Sequence, residues 1–243
     1  MSLAVVTPTY NEADNIGLLL SRLQALRPDA VVYVVDDASP DGTADLAAAA
    51  GARVLRREGK LGLASAYVLG MGRALDDGFD TIVQMDADLS HDPADLPRLL
   101  AALGPRPEAD VVIGSRYVPG GGTRNWSLGR RLLSRFGSAY AQAWLGLALR
   151  DLTGGFKAWK ADSLRAIDLP AVQSRGYAFQ VETTARAVAA GALVAEVPIV
   201  FTERRAGASK MSREIALEAA VTVPRIGRQL APGPRRARST EDR

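Results

Sequence analysis

A chain of 243 residues, 47% hydrophobic and 23% charged, is long and apolar enough to bury a full core as one domain, or as one domain with an appendage. The absence of cysteine excludes disulfides and thiolate metal sites, and no apolar run reaches the roughly 18 residues that suggest a membrane span. The net charge of +3 sits at the end, where six arginines from Arg225 onward face Glu241 and Asp242, against 24 basic and 25 acidic residues elsewhere; this gives no basic face for nucleic acid.

The opening MSLAVVTPTYNE has no basic leader, and its apolar run is too short for a signal peptide. LAVVT (3–7) reads as a strand, and Ile16, Leu19, Leu20, Leu23 and Leu26 recur at helical spacing. VVYVV (31–35) is a second strand, followed by an Ala-rich helix from about Asp41, its capping residue, to Gly51. ARVL (52–55) is a third strand before a helix at about 61–77. TIVQM (81–85) and ADVVIG (109–114) are further strands, with Asp92-Pro93 opening the helix between them. Such alternation predicts an α/β fold, a mainly parallel sheet with helices on both faces. Ligands in such sheets collect at the carboxyl ends of the strands. Here those ends read TPTYNE, DDASPDG, DADLSHD and GSRY.

Beyond Tyr117 the pattern changes. PGGGTRN (119–125) reads as a flexible loop, and a long helix starts at Ser127 with Leu128, Leu132, Phe136, Tyr140 and Trp144 four residues apart. DLTGGF (151–156) breaks it; a second helical stretch covers about 177–190, and LVAEVPIVF (193–201) is a strand or a pair. ERRAGASKM (203–211) is a loop, and the last helix, Ser212 to about Arg228, is expected to be interrupted at Pro224. The Pro/Arg/Ser-rich end from Pro232 is expected to be disordered.

Asp86 and Asp88 end an apolar strand. Paired carboxylates there suit a turn, a helix cap, a divalent metal site or a phosphoryl-accepting nucleophile. Residues two apart in a strand project to one side, so both could reach one Mg²⁺ or Mn²⁺, which favour oxygen ligands. Their position opposite DDASPDG favours the metal. Asp37, at the tip of the second strand, suits hydrogen bonds from a base or ribose, or a turn. His91, the single histidine, reads as a surface or helix-start residue.

Together PTYNE (8–12), VVDDASPDGT (34–43), GLASAY (62–67), MDADLSHDP (85–93), GSRY (114–117), TGGFK (153–157) and GASKM (207–211) resemble glycosyltransferase family 2, and more narrowly its polyprenol-phosphate (dolichol-phosphate) mannose synthases. The motifs span about 8–211. The resemblance implies a GT-A (Rossmann-like) fold that uses GDP-mannose and Mg²⁺ or Mn²⁺ to make polyprenyl phosphomannose, with inversion at the sugar carbon. It implies that Pro8, Tyr10, Glu12, Val35 and Asp37 line the guanosine pocket. Asp86, Ala87 and Asp88 would lie along the sugar and diphosphate, with Asp86 and Asp88 holding metal. Arg116, Arg204 and Lys210 would serve the donor and acceptor phosphates. Some relatives carry a glutamine ligand where this chain has Ser90, a weaker one, so Ser90 is left out of the metal set.

No Ser/His/Asp triad is evident, and none is needed. An anionic lipid phosphate attacks without a strong base, and the departing diphosphate needs cationic stabilisation. The organisation expected is a GT-A catalytic domain over 1–211, including an amphipathic interfacial helix at about 127–147. A C-terminal helical appendage at 212–230 and a disordered basic tail at 231–243 complete it. The apolar stripe of the 127–147 helix reads either as core or, beside Arg124, Arg130, Arg131 and Arg135, as a membrane-surface contact. The expected place is the cytoplasmic face of a membrane, peripherally bound, with a membrane-protein partner an open option. Alternatives are a UDP-sugar-dependent polyprenyl-phosphate glycosyltransferase, a metal-dependent phosphohydrolase with Asp86 as nucleophile, and an inactive nucleotide-sugar-binding subunit.

Overall fold

The computed structural model describes residues 2–104, 109–174, 176–203 and 213–230. Its centre is a seven-stranded sheet built from β1 (Leu3–Thr9), β2 (Val31–Asp36), β3 (Arg53–Arg56), β4 (Thr81–Gln84), β5 (Val111–Ser115), β7 (Lys157–Lys160) and β8 (Val194–Pro198), in the order β3-β2-β1-β4-β7-β5-β8. All neighbours are parallel except β7, which runs antiparallel to both β4 and β5. The predicted α/β, GT-A-like architecture is therefore present. The strand order reverses between β1 and β4, where sheets of this kind open a crevice for ligands.

β1 shows why the sheet lies in the middle. Leu3 and Val5 face one apolar cluster with Ile16, Leu19 and Leu23 of α1 (Ala13–Leu26) and Leu96 and Leu99 of α4 (Leu96–Ala102). Ala4 and Val6 face a second with Ala66, Tyr67 and Met71 of α3 (Leu63–Asp76) and Phe179 of α7 (Gly176–Ala189). Both faces of the strand are buried, so it reads as a continuous apolar run rather than an alternation. α3 approaches closely because position 70 is glycine: a methyl group there would fall 2.4 Å from Val6 Cγ1 and 2.8 Å from Val35 Cγ2. Asp41 ties two helix starts together. Its Oδ2 accepts from Ala13 N–H of α1, and its Oδ1 from the backbone and hydroxyl of Thr43, first residue of α2 (Thr43–Ala49).

Three features differ from expectation, and a fourth, left open by the sequence, is decided. The 119–125 stretch is not a plain loop, because Gly122–Arg124 forms β6, paired in parallel with β9 (Val200–Thr202). Gly121 allows this, since a Cβ there would fall 2.5 Å from the Ser115 carbonyl oxygen. β7, with the short helix α6 (Ala161–Ala166) behind it, is a strand the sequence pattern did not predict: KAWK is four residues with a lysine at each end. The last helix, α8 (Arg213–Leu230), runs on through Pro224. Proline removes one N–H bond, and the buried Val223 and Ile226 on either side keep the helix seated. At Gly227, where a Cβ would stand 3.2 Å from the Trp144 carbonyl oxygen, α8 comes against α5 (Leu128–Leu145).

The fourth concerns α5 itself. It starts where expected, with Ser127 as its cap accepting from Arg130 N–H, and Gly146 closes it in the left-handed region. Its apolar stripe is not core. Leu128, Leu132 and Phe136 are 73%, 68% and 67% exposed, while Ser134, Ser138 and Ala141 face the protein. The serines explain the orientation: Tyr117 Oη donates to Ser134 Oγ at 2.6 Å, and Ser138 Oγ shares a hydrogen bond with Thr153 Oγ1. Among the described residues no helix is long and apolar enough to cross a membrane.

Candidate functional site

The carboxyl ends of β1, β2, β4 and β5 converge on one edge, carrying Pro8, Tyr10 and Glu12, then Val35 and Asp37, then Asp86, Ala87 and Asp88, then Arg116. Because β7 is antiparallel, its amino end reaches the same edge. Lys157 pairs with Gln84 and Ile113, so TGGFK enters beside DADLS and GSRY.

The two aspartates expected to hold metal lie past the end of β4, in a turn, not within the strand. The same-side argument from strand geometry therefore does not hold. The turn at Leu89, with φ 58°, places them instead. Asp86 is half-buried, and Oδ1 accepts the Tyr67 hydroxyl at 2.8 Å. Burial and the neighbouring Asp86 raise the Tyr67 phenol well above its ordinary value, so it stays a donor. Asp88 is 5% exposed; its Oδ1 accepts from Ser90 N–H at 3.1 Å and from Ser90 Oγ–H at 2.5 Å. Ser90 thus orients a carboxylate. Ala87 between them is buried in the core.

His91 departs from its surface reading. It is 2% exposed, packed between Phe156 and Phe201, and its Nδ1 accepts from Asp86 N–H at 3.3 Å. Burial pushes its pKa below the ordinary value, outweighing Asp86 and Asp88. Arg116 and Asp151 also act on this imidazole, which puts all of these groups in one electrostatic neighbourhood.

Arg116, expected near phosphates, sits 7% exposed in a bidentate pair with Asp151: Nε to Oδ2 is 2.7 Å and Nη2 to Oδ1 is 2.6 Å. Nη2 also donates to Thr153 Oγ1 at 2.8 Å. Burial alone would push the Asp151 carboxyl up; the Arg116 charge and hydrogen bonds outweigh it and hold it below the usual range. Glu196 of β8 fixes this loop by accepting from the N–H groups of Arg150 and Asp151.

On the nucleotide side, Asp37 is bound by Arg57 and by Gly62 N–H at 2.9 Å. Gly62 and Tyr67 both belong to GLASAY, so one segment holds Asp37 at its start and Asp86 at its end. Asp36, by contrast, is absorbed by Thr9 and Ser39. Tyr10 lies under Lys60, whose Nζ is 3.9 Å from the ring centre. Glu12 begins α1 and accepts from Asn15. Pro8 is half-buried on β1, opposite Val35. Val35 is fully buried, its side chain turned to α3, so its side chain belongs to the core. Arg204 and Lys210 lie outside the described residues, as does the tail from 231.

Tyr67, Asp151, Lys157 and Gln180 were not singled out from the sequence. Tyr67, Asp151 and Lys157 were signalled only by lying within GLASAY, DLTGGF and TGGFK, and Gln180, inside α7, by no motif. Lys157 is fully buried, donating to the Gln180 carbonyl at 2.7 Å and Thr184 Oγ1 at 2.9 Å. Desolvation brings its pKa down to about 7 against a pull upward from Asp151.

The donor set fits a hard divalent cation. Asp86 and Asp88 offer carboxylate oxygens just past a strand end, and Mg²⁺ sites commonly combine one or two carboxylates with water and substrate phosphates. Among the described residues no group of three or more His, Cys, Asp or Glu side chains gathers into a metal site.

Residues 4–168 match the family described as glycosyl transferase family 2. The chain is similar to an undecaprenyl-phosphate mannosyltransferase of Micrococcus luteus, 49% identical over 93% of this chain and 94% of that protein. It is 44% identical to a polyprenol monophosphomannose synthase of Mycolicibacterium smegmatis, over 92% of this chain and 86% of the relative. Among solved structures it resembles the glucosyl-3-phosphoglycerate synthase of Mycobacterium tuberculosis with Mn²⁺, UDP-glucose and phosphoglyceric acid. The TM-score is 0.67 at 21% identity, over 93% of this chain and 79% of that one. A form of that enzyme with Mg²⁺ and UDP aligns at TM-score 0.68, also at 21% identity, over 91% and 79%. These likenesses support the fold.

Proposed function

The chain belongs to glycosyl transferase family 2, and on that premise we propose that it transfers mannose from GDP-mannose to a polyprenyl phosphate, with inversion, giving polyprenyl phosphomannose. The observation carrying this reading is the near full-length similarity, at 49% and 44% identity, to two proteins named for that lipid product or acceptor. The strand-end carboxylates supply a site of the right chemistry beside it.

In this reading Asp86 and Asp88 hold a divalent cation, with Tyr67 and Ser90 fixing the two carboxylates. A bound cation supplies electrostatic stabilisation to the departing diphosphate. The acceptor phosphate is anionic and attacks directly, so the neutral His91 is not required as a base. Arg116, neutralised by Asp151, holds the 151–155 loop against the site. Arg204 and Lys210 are the cations proposed for the phosphates. Pro8, Tyr10, Glu12 and Asp37 frame the base and ribose.

The acceptor is a membrane lipid, and α5 turns Leu128, Leu132, Phe136 and Trp144 outward. An exposed apolar face on a polar-backed helix suits burial at a lipid surface. The arginines divide. Arg130 pairs with Glu203 at 2.5 Å and lies over Trp126, whereas Arg135 is exposed. Membrane association therefore rests on the apolar face more than on the full arginine cluster.

The test is incubation of purified protein and a polyprenyl phosphate with GDP-mannose, and separately with UDP-sugars, followed by product mass and anomeric configuration. A polyprenyl phosphomannose of inverted configuration is expected. Product from a UDP-sugar alone would replace the donor, and inorganic phosphate release without glycolipid would replace the reaction class.

A further inference from the structure

A line of buried polar side chains crosses the core and ends at the site. Trp159 on β7, Gln84 on β4 and Gln180 on α7 are 0%, 0% and 3% exposed. Trp159 Nε1–H donates to Gln84 Oε1 at 2.9 Å, and Gln84 Nε2–H donates to Gln180 Oε1 at 2.7 Å. The indole nitrogen can only donate, and this settles both amides. Gln84 must turn its oxygen toward Trp159 and its nitrogen toward α7. Gln180 must answer with its oxygen, which turns its own NH₂ the other way.

That NH₂ group points into the site. A methyl group added at Gly155 would stand 3.6 Å from Gln180 Nε2, 3.6 Å from Asp86 Oδ2 and 3.4 Å from His91 Cε1. Gly155 is itself half-buried, and its missing side chain leaves these three groups facing one another. The turn of α7 bearing Gln180 is also pinned, because Lys157 Nζ donates to the Gln180 carbonyl and to Thr184 Oγ1. Apolar side chains would fill this part of the core without the desolvation that buried amides and an ammonium incur. What the polar line adds is a fixed direction for one amide.

We infer that Gln180 is a donor-sugar contact that helps set which hexose is accepted. Its amide N–H groups donate to an oxygen of the transferred sugar, seated over Gly155 beside Asp86, and the Trp159–Gln84 line fixes their direction. The inference rests on the glycosyl-transfer reading and names a residue of that same site.

The experiment compares Gln180→Glu, Gln180→Met, Gly155→Ala and Trp159→Phe with wild type. It measures affinity for GDP-mannose and for GDP, kcat/KM for polyprenyl phosphomannose formation, and the thermal midpoint. Both Gln180 variants and Gly155→Ala should lose about tenfold or more in GDP-mannose affinity or kcat/KM, with GDP affinity within about twofold of wild type. Trp159→Phe leaves the site side chains in place but frees the amides to turn, and should show a smaller, few-fold loss of the same kind. If the Gln180 variants fail to fold, Gly155→Ala and Trp159→Phe decide. Sugar affinity and turnover at wild-type level in the folded variants would overturn the inference while wild-type transfer upholds the reading. Equal losses for GDP and GDP-mannose with a fallen midpoint would make Gln180 a packing residue and also overturn it. A wild-type protein that transfers no sugar would remove both.

Discussion

Asp88 sits at the end of an apolar strand, 5% exposed, with Ser90 bonded to one of its oxygens. Asp88→Ala removes a carboxylate outside the apolar clusters. Its turnover is expected to fall about 100-fold or more with the circular dichroism spectrum unchanged, and EDTA should suppress the wild type in the same assay. Full activity of the variant in metal-free buffer would refute the role. Lys157 gives a pH prediction. Its folded pKa of about 7 lies below the ordinary 10.5, so between those values the unfolded chain binds the extra proton. Stability should therefore rise with pH across that window, and the cost of burying the ammonium is complete below about 7. In Lys157→Met this rise should disappear, as read from urea midpoints between pH 6 and 10 relative to wild type. The strand-end position of Asp86 and Asp88 was legible, and with it a candidate metal pair, because carboxylates after an apolar strand are a local pattern. The burial of Lys157 and His91 was not, because it depends on β7 and on Phe201, far away in the chain.

α5 shows how one periodicity admits two structures. A leucine and aromatic residue every fourth position marks a helix face, and nothing in that spacing says whether the face turns in or out. Ser134 and Ser138 decide it by docking on Tyr117 and Thr153. Replacing Leu132 and Phe136 together by aspartate should leave the thermal midpoint nearly unchanged, since both are exposed. Binding to polyprenyl-phosphate-containing anionic vesicles should drop more than tenfold, since burying each large apolar side chain contributes about 1.5–3 kcal/mol. Flotation measures the binding and light scattering the oligomeric state. Unchanged flotation, or loss of a dimer instead, would assign the stripe another partner. Removing Arg130 is a poorer probe than its charge suggested, because it breaks the Glu203 pair that links this helix to the end of β9. The helices and parallel strands of the first half were legible nearly residue by residue. β6 and β7 were not, since GTR lies in a Gly-rich stretch and KAWK carries a lysine at each end, so neither shows the apolar run that marked the equally short β3 and β4.

At the scale of the whole molecule, the sheet order brings GLASAY, DADLS, GSRY and TGGFK to one edge, with the apolar face of α5 left open to solvent. GDP should raise the thermal midpoint more than UDP at equal concentration, with Mg²⁺ or Mn²⁺ present. A tenfold difference in affinity, about 1.4 kcal/mol, corresponds to roughly 3–6 °C in a chain of this size. Greater protection by UDP would shift the donor. The amino-acid sequence by itself determined the alternation of strands and helices, the parallel sheet, the polar strand ends and the family, because these follow from periodicity, turn chemistry and ordered local motifs. Only the tertiary structure decided that Arg116 spends its charge on Asp151, that Val35 turns to the core, that Tyr67 and Ser90 hold the two aspartates, and that α5 faces its leucines outward. Each of these is a choice between partners distant in the chain, and it is made by the packing that brings one of them within reach and buries it.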